Sequence, residues 1–151
     1  MIANAFKQLE ETLRLIPGYD PFATAGDCTL DHQAAQDAID FFPECLVHIE
    51  GSMANKPFRL EPWQQASIGN LFGWKRPDGS RRYREGLIFV PRKNGKRPTA
   101  AGIALKVLFG DEEIGQQNYM AAADREQAGK LFRYAKLMRD KNPIMAARSR
   151  V

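Results

Sequence analysis

The chain is poor in cysteine and histidine and has no long apolar run. Its 151 residues include two cysteines, Cys28 and Cys45, and two histidines. The cysteines lie far apart without a CxxC motif, and we interpret them as reduced thiols, with a disulfide or a metal site as the alternative. No run approaches membrane-spanning length, and residues 1–7 lack the basic start and apolar stretch of a signal peptide. We therefore expect a cytoplasmic protein.

The composition is that of a globular domain, but the charge is uneven. Hydrophobic residues make up 44% and charged residues 26% of the chain, which is ordinary for a soluble fold. Residues 1–58 carry 3 basic and 9 acidic residues, a net charge of −6, whereas residues 59–151 carry 19 and 9, a net charge of +10. The densest basic stretch, residues 75–97, contains nine lysines and arginines. Such a stretch attracts polyanions, including nucleotides and nucleic acid; the alternative is an ordinary solvated face.

We predict that residues 1–57 form a helical N-terminal segment. Apolar residues at helical spacing indicate a first helix over residues 3–16. Thr29 or Asp31 is placed to cap a second helix, which Pro43 ends or kinks. We expect a domain boundary after this segment, where the charge changes sign.

We predict that residues 58–151 form the front half of an α/β domain. Leu87–Val90 is short, wholly apolar and flanked by turn residues, which is typical of a buried strand in a parallel sheet. A second strand is predicted at Tyr119–Ala123. Helices are predicted at residues 63–72, 99–109 and 124–139, and a turn at residues 77–80. The strand–helix–strand–helix order implies a right-handed parallel crossover.

A tight polar turn, Pro91–Lys96, joins the first predicted strand to the following helix and ends in Gly95-Lys96. Strand, phosphate-sized loop, lysine and helix follow one another in this order in a nucleotide-binding P-loop. Amides at a helix N-terminus favour an anion, and the lysine adds a point charge. The turn therefore predicts a phosphate-binding site.

Six short motifs carry a family resemblance. In chain order they are Ala38-Ile39-Asp40-Phe41-Phe42, Phe58-Arg59-Leu60-Glu61-Pro62-Trp63-Gln64-Gln65, Phe72-Gly73-Trp74-Lys75, Val90-Pro91-Arg92-Lys93-Asn94-Gly95-Lys96, Ala101-Gly102-Ile103-Ala104-Leu105 and Ala121-Ala122-Ala123-Asp124-Arg125-Glu126-Gln127-Ala128. A chain with these pieces in this order resembles the N-terminal ATPase region of the large terminase subunit of tailed bacteriophages, the DNA-packaging motor. The fourth motif resembles the family's Walker A loop, and the second its adenine-side motif.

The resemblance implies a partial P-loop NTPase fold, a parallel sheet with flanking helices behind a helical N-terminal segment, and ATP and Mg²⁺ as cofactors. It implies that Lys96 contacts the β- and γ-phosphates. The loop amides that line the nucleotide site would be those of Lys93, Asn94, Gly95 and Lys96. Arg92 matches an arginine in the family's loop, a catalytic residue that stabilises charge on the transferred phosphoryl group.

By the same resemblance, Gln64 binds the edge of adenine, because its carboxamide donates and accepts hydrogen bonds together. The alternative for Gln64 is a glutamine on a helix surface. Lys96 and Arg92 have the alternative of plain surface cations. The residues alone leave these alternatives open.

The residues after Lys96 depart from the family pattern. A P-loop carries serine or threonine next to its lysine, since that hydroxyl ligates Mg²⁺. Arg97 stands here instead and has no acceptor atom, so we expect no metal site. Pro98 removes one amide donor, and Thr99 lies about 200° further around the helix. We expect the isolated chain to bind nucleotide weakly and not to hydrolyse it.

The function implied by the resemblance is ATP-driven packaging of double-stranded DNA into procapsids, in the cytoplasm of the bacterial host. The implied partners are DNA, the terminase small subunit and the portal protein. A homo-oligomer is a separate expectation, which does not come from the resemblance. The family's Walker B strand and nuclease domain lie beyond residue 140, and we expect neither here. The alternatives are a catalytically inactive prophage remnant that self-associates or binds other proteins through an unpaired sheet edge, and direct DNA binding by residues 75–97.

Overall fold

The computed structural model describes residues 2–111 and 116–150. Within these residues the helices are α1 Ile2–Leu13, α2 His32–Cys45, α3 Pro62–Gly73, α4 Lys96–Gly110, α5 Arg125–Lys141 and α6 Pro143–Ala147. Two short strands, β1 Thr29–Leu30 and β2 Trp74–Lys75, and the 3₁₀ turn Gly51–Met53 complete their regular structure. The chain divides into two compact units, Met1–Phe41 with Arg59–Ile88 and Phe42–Phe58 with Phe89–Val151. The domain boundary expected after residue 57 stays a prediction.

In the first unit, α1 packs on α3 through a close approach at a glycine. Leu13 of α1 is fully buried. A Cβ added at Gly69 would lie 2.5 Å from Cδ2 of Leu13 and 3.1 Å from Cδ1 of Ile39. Because interiors are close-packed, only glycine lets these side chains reach the α3 backbone. The helix predicted at residues 3–16 is confirmed, with its end at Leu13.

A buried carboxamide ties the elements of this unit together. Nδ2 of Asn70 donates to the carbonyl oxygens of Leu13 and Ala66, each at 2.8 Å, and its Oδ1 accepts from Nε1 of Trp74 at 2.8 Å. A buried polar group that is satisfied on both atoms favours one arrangement of its neighbours. Asn70 thus connects the end of α1, the body of α3 and the start of β2.

Helices begin where short polar side chains accept from their first amides. Oδ1 of Asp31 accepts at 2.9 Å from an amide in α2, and Oδ1 of Asp124 accepts at 2.8 Å from an amide in α5. Both contacts satisfy amides that have no partner within the helix. Asn142 caps α6 in the same way, and its Nδ2 donates to the Cys45 carbonyl at 3.0 Å. The predicted caps Asp31 and Asp124 are therefore confirmed.

In the second unit, α4 lies against α5 and directly on an aromatic pair. The Phe42 ring meets the Phe58 ring edge-on, with centroids 5.5 Å apart and planes at 76°, an arrangement that aromatic pairs prefer. A Cβ added at Gly102 would overlap Cε1 of Phe42. Leu105 of α4 and Met138 of α5 are also buried in this unit. Glycine at 102 therefore sets how closely α4 approaches.

The expected parallel sheet is not confirmed. Among the described residues the only strand pair is β1 with β2, which runs antiparallel with Thr29 opposite Lys75. Neither Leu87–Val90 nor Tyr119–Ala123 forms a strand, and most of their side chains are exposed. A strand is held by hydrogen bonds to a neighbouring strand, and none of the described residues forms a ladder with these apolar runs. The observed architecture is a mixed one of helices and a small sheet.

Helix bounds differ from the predicted ones at two prolines. α2 continues past Pro43 to Cys45, and α4 begins at Lys96, before the predicted start at Thr99. Pro98 lies in the first turn of α4, where an amide hydrogen has no helical partner, so it does not delay the helix.

No helix in the described part of the chain is both long and apolar enough to cross a bilayer.

Replacing Gly102 with alanine is expected to lower the free energy of unfolding by about 1–3 kcal/mol, because the added Cβ would overlap the Phe42 ring. Gly129→Ala in α5 is the matched control, since nothing lies within 4 Å of its added Cβ. It is expected to raise the free energy of unfolding by about 0.5–1 kcal/mol through helix propensity. Urea denaturation followed by circular dichroism measures both; equal responses would contradict the close approach at Gly102.

Candidate phosphate-binding loop

The turn between Val90 and α4 contains two residues with left-handed backbone. Lys93 has a φ of 70°, and Gly95 has a φ of 69° with a ψ of 15°. Glycine adopts this region freely, whereas for a residue with a Cβ it costs roughly 1–2 kcal/mol. The backbone around Asn94 is therefore curled, not extended.

Two side chains close the turn from within. Nζ of Lys96 donates to the carbonyl oxygen of Val90 at 2.8 Å, and Nδ2 of Asn94 donates to that of Pro91 at 3.4 Å. Both bonds are exposed, and a hydrogen bond of this kind contributes only about 1 kcal/mol net. An incoming phosphate can therefore replace the carbonyl as the partner of Lys96.

The start of α4 is fastened to the turn by Thr99. Its amide and its hydroxyl both donate to the carbonyl oxygen of Gly95, at 3.0 Å and 2.9 Å. Thr99 is only 2% exposed. Its hydroxyl is therefore occupied by a hydrogen bond at the start of the helix.

The charge around the turn is of one sign. Residues 86–110 contain no Asp or Glu, and their five cations are Arg92, Lys93, Lys96, Arg97 and Lys106. The first four of these are exposed. A run of exposed cations at the start of a helix attracts anions, because its field adds to that of the helix dipole.

Gln64 lies in α3 of the first unit, whereas the turn belongs to the second. Its side chain is 3% exposed, so it is not a surface glutamine. Oε1 of Gln64 accepts from the Glu61 amide at 2.8 Å, and the Glu61 side chain accepts from the Gln64 amide, which forms a capping box. The spacing of Glu61 and Gln64 around Pro62 is the sequence signal for this role. The adenine contact of Gln64 stays a prediction.

Arg97 brings a positive charge to the first turn of α4. Burial raises the pKa of the Tyr134 phenol in α5 and Glu50 raises it further, whereas a backbone hydrogen bond at Ile49 and the charge of Arg97 lower it. The contribution of Arg97 is the smallest of these four. In the part of the chain that the structure describes, no three His, Cys, Asp or Glu side chains come together as metal ligands.

Part of the basic stretch at residues 75–97 stabilises the first unit instead of facing a ligand. Nη1 of Arg82 donates to the Pro21 carbonyl at 2.8 Å, and Nη2 donates to the Thr24 hydroxyl at 2.9 Å. Arg81 lies over an aromatic ring, 4.7 Å from its centroid. The sequence carries no local signal for these roles, because the partners of Arg82 lie about sixty residues away along the chain.

Apolar side chains that the predicted strands would bury are exposed. Leu87 is 93% and Phe89 is 95% exposed.

In the second unit a groove of about 680 Å³ opens between α4 and α5. The residues that line it include Leu108, Tyr119, Phe132, Arg125 and Lys136. Sequence reasoning missed this groove, because it assigned Tyr119 to a strand.

Comparison with known proteins points to one family. The family described as the terminase large subunit, ATPase domain, matches residues 62–150. A terminase large subunit of Enterobacteria phage HK97 is 35% identical over 100 residues, which cover 66% of this chain and 19% of that protein. The chain therefore spans about a fifth of the length of this relative. No solved structure matches. These matches confirm the resemblance that the six motifs predict.

Lys93→Val is expected to lower the free energy of unfolding, because β-branching at a φ of 70° adds strain beyond the roughly 1–2 kcal/mol that any Cβ, including that of lysine, already causes. Lys93→Gly removes the same charge but fits the left-handed backbone, so it is expected to be at least as stable as the unmodified chain. Chemical denaturation of the two variants provides the comparison. Equal stabilities would contradict the left-handed turn.

Proposed function

The chain belongs to the family of terminase large subunit ATPase domains, and we propose that its turn at residues 91–96 binds the phosphates of a nucleotide. The observation that carries this proposal is the curled, cationic turn in front of α4, with left-handed backbone at Lys93 and Gly95. Such a turn followed by a helix N-terminus directs amides and cations toward one anion. ATP is the nucleotide implied by the family.

Each residue of the turn has a proposed part. Lys96 exchanges the Val90 carbonyl, now 2.8 Å from its Nζ, for the β- and γ-phosphates. Arg92 approaches the γ-phosphoryl group, where positive charge stabilises the transfer in an intact motor. The remaining phosphate contacts are proposed for the backbone amides of Lys93, Asn94, Gly95 and Lys96. Gln64 is kept as the proposed adenine contact on the strength of the resemblance.

We propose that this chain alone binds ATP without hydrolysing it. The family's reaction uses Mg²⁺, and a P-loop holds the ion through a hydroxyl next to the loop lysine. Arg97 stands at that position and offers no acceptor atom. The nearest following hydroxyl, that of Thr99, donates to the Gly95 carbonyl. The residues present do not fit the ion, so no metal-assisted step is assigned to this chain.

In an intact phage motor, the proposed role is ATP-driven packaging of double-stranded DNA into procapsids in the cytoplasm of the bacterial host. The proposed partners are DNA, the terminase small subunit and the portal protein. These proposals rest on family membership. Exposed cations outside the turn, including Arg76 and Arg84, support a DNA contact, because phosphate neutralisation dominates protein–DNA affinity.

Nucleotide is expected to raise the melting temperature of the chain, and Lys96→Ala is expected to weaken nucleotide affinity on the order of tenfold or more, since a hydrogen bond to a charged group contributes about 1.5–3 kcal/mol. Arg148→Ala, which removes an exposed cation after α6, is the control and should leave the affinity unchanged. Melting in ATP, with Mg²⁺ and with EDTA, measures the shift. Its absence in both buffers would refute nucleotide binding.

Phosphate release from ATP in Mg²⁺ is expected to stay at background, because the loop lacks its oxygen ligand. A colorimetric phosphate assay on the purified chain gives the measurement. Turnover above background that Lys96→Ala abolishes would show that Arg97 does not prevent hydrolysis.

A second candidate function is self-association as an interaction module, the role of an inactive prophage remnant. The exposed side chains of Leu87 and Phe89 favour it. The groove between α4 and α5 also exposes apolar side chains, Leu108, Tyr119 and Phe132 among them. A second copy of this chain would cover these apolar surfaces.

If the chain self-associates in this way, Phe89→Asp is expected to convert dimers to monomers, because it puts a charge in the apolar contact. Ile144→Asp is the control, since it adds a charge at another exposed apolar residue, 70% exposed. Size-exclusion chromatography with light scattering at high concentration distinguishes the two. A monomeric unmodified chain would contradict this candidate function.

A further inference from the structure

The turn and the first helical turn offer almost no oxygen ligands from side chains. Between residues 91 and 98 the one side-chain oxygen belongs to Asn94, whose amide nitrogen donates to the Pro91 carbonyl at 3.4 Å. Oγ1 of Thr99 is buried against the Gly95 carbonyl. Mg²⁺ requires oxygen ligands in near-octahedral geometry. The donor set of this turn therefore suits an anion and not a divalent cation.

The charge of the same segment also opposes a cation. Arg92, Lys93, Lys96 and Arg97 lie within six residues, and no acid occurs from residue 86 to residue 110. A divalent ion placed here would be repelled by four guanidinium or ammonium groups with no carboxylate to offset them. A polyphosphate chain would be attracted by all four.

On the premise that the turn binds nucleotide phosphates, we propose that it binds the polyphosphate chain free of metal, with the Arg97 guanidinium supplying positive charge in place of Mg²⁺. The ligand class is an uncomplexed polyphosphate, carried by a nucleoside triphosphate or by inorganic tripolyphosphate. Mg²⁺ acts as an inhibitor of this binding, because it neutralises part of the phosphate charge that Arg97 and the other cations recognise. This inverts the usual dependence of a P-loop on its metal.

The sign of the Mg²⁺ effect tests the proposal. Isothermal titration of the 151-residue chain with ATP is carried out in EDTA and in excess MgCl₂ at constant ionic strength. Affinity is expected to be higher in EDTA, by on the order of five- to tenfold. Tighter binding in Mg²⁺ overturns the proposal while leaving nucleotide binding intact. No binding in either buffer overturns nucleotide binding as well, so the two failures are distinguishable.

Variants at position 97 test whether the Mg²⁺ effect depends on the charge at this position or on the overall positive charge of the chain. Arg97→Lys keeps the charge and is expected to keep the preference for metal-free ATP. Arg97→Ser removes the charge and adds a hydroxyl, and the weakening by Mg²⁺ is expected to disappear. Arg148→Ser removes an exposed arginine elsewhere and should behave like the unmodified chain. If Arg97→Ser and Arg148→Ser both keep the full Mg²⁺ effect, Arg97 does not replace the metal.

Inorganic tripolyphosphate identifies which part of the ligand is recognised. Because the proposed contacts are to the phosphate chain, tripolyphosphate is expected to bind and to be weakened by Mg²⁺ as ATP is. Binding of ATP without any binding of tripolyphosphate would overturn the assignment of the phosphate chain as the ligand. Circular dichroism melts check that each variant is folded. The variants are expected to fold, because substitutions of exposed arginines usually change stability little.

Discussion

The absence of a side chain at Gly102 is the constraint on which the second unit depends. It allows the backbone of α4 to lie on the Phe42 ring, which packs edge-on against Phe58. Once α4 is placed, Thr99 fastens its first residues to the Gly95 carbonyl with two hydrogen bonds. The cationic turn is thus supported from the helix behind it and, through the bonds within the turn, from its own backbone.

The turn at residues 91–96 is held by α4 on one side only. A P-loop lies between a strand and a helix, but here Leu87–Val90 has no ladder partner among the described residues. The turn keeps its curled shape through the left-handed residues Lys93 and Gly95 and through the Lys96–Val90 bond. These contributions are local and individually small, and the bond is exposed. A bound anion would therefore add a large share of the interactions that hold the loop.

Position 97 carries the proposed difference in chemistry between the turn of this chain and a P-loop. The helix tolerates Pro98 because first-turn amides need no helical partner. It tolerates Arg97 because that side chain is exposed. The start of α4 thus forms with a cation at position 97, where a P-loop carries the hydroxyl that ligates Mg²⁺.

The family could be predicted from the residues, because its motifs are read directly from the sequence. The starts of α2 and α5 could also be predicted, because Asp31 and Asp124 cap amides three residues on. The predicted start of α4 is three residues too late. The parallel strands could not be predicted, since a strand requires a partner that its own residues do not specify. The structural use of Arg82 depends on Pro21 and Thr24, and the close packing at Gly102 depends on Phe42. Those contacts exist only once distant segments meet, and no local pattern of residues encodes them.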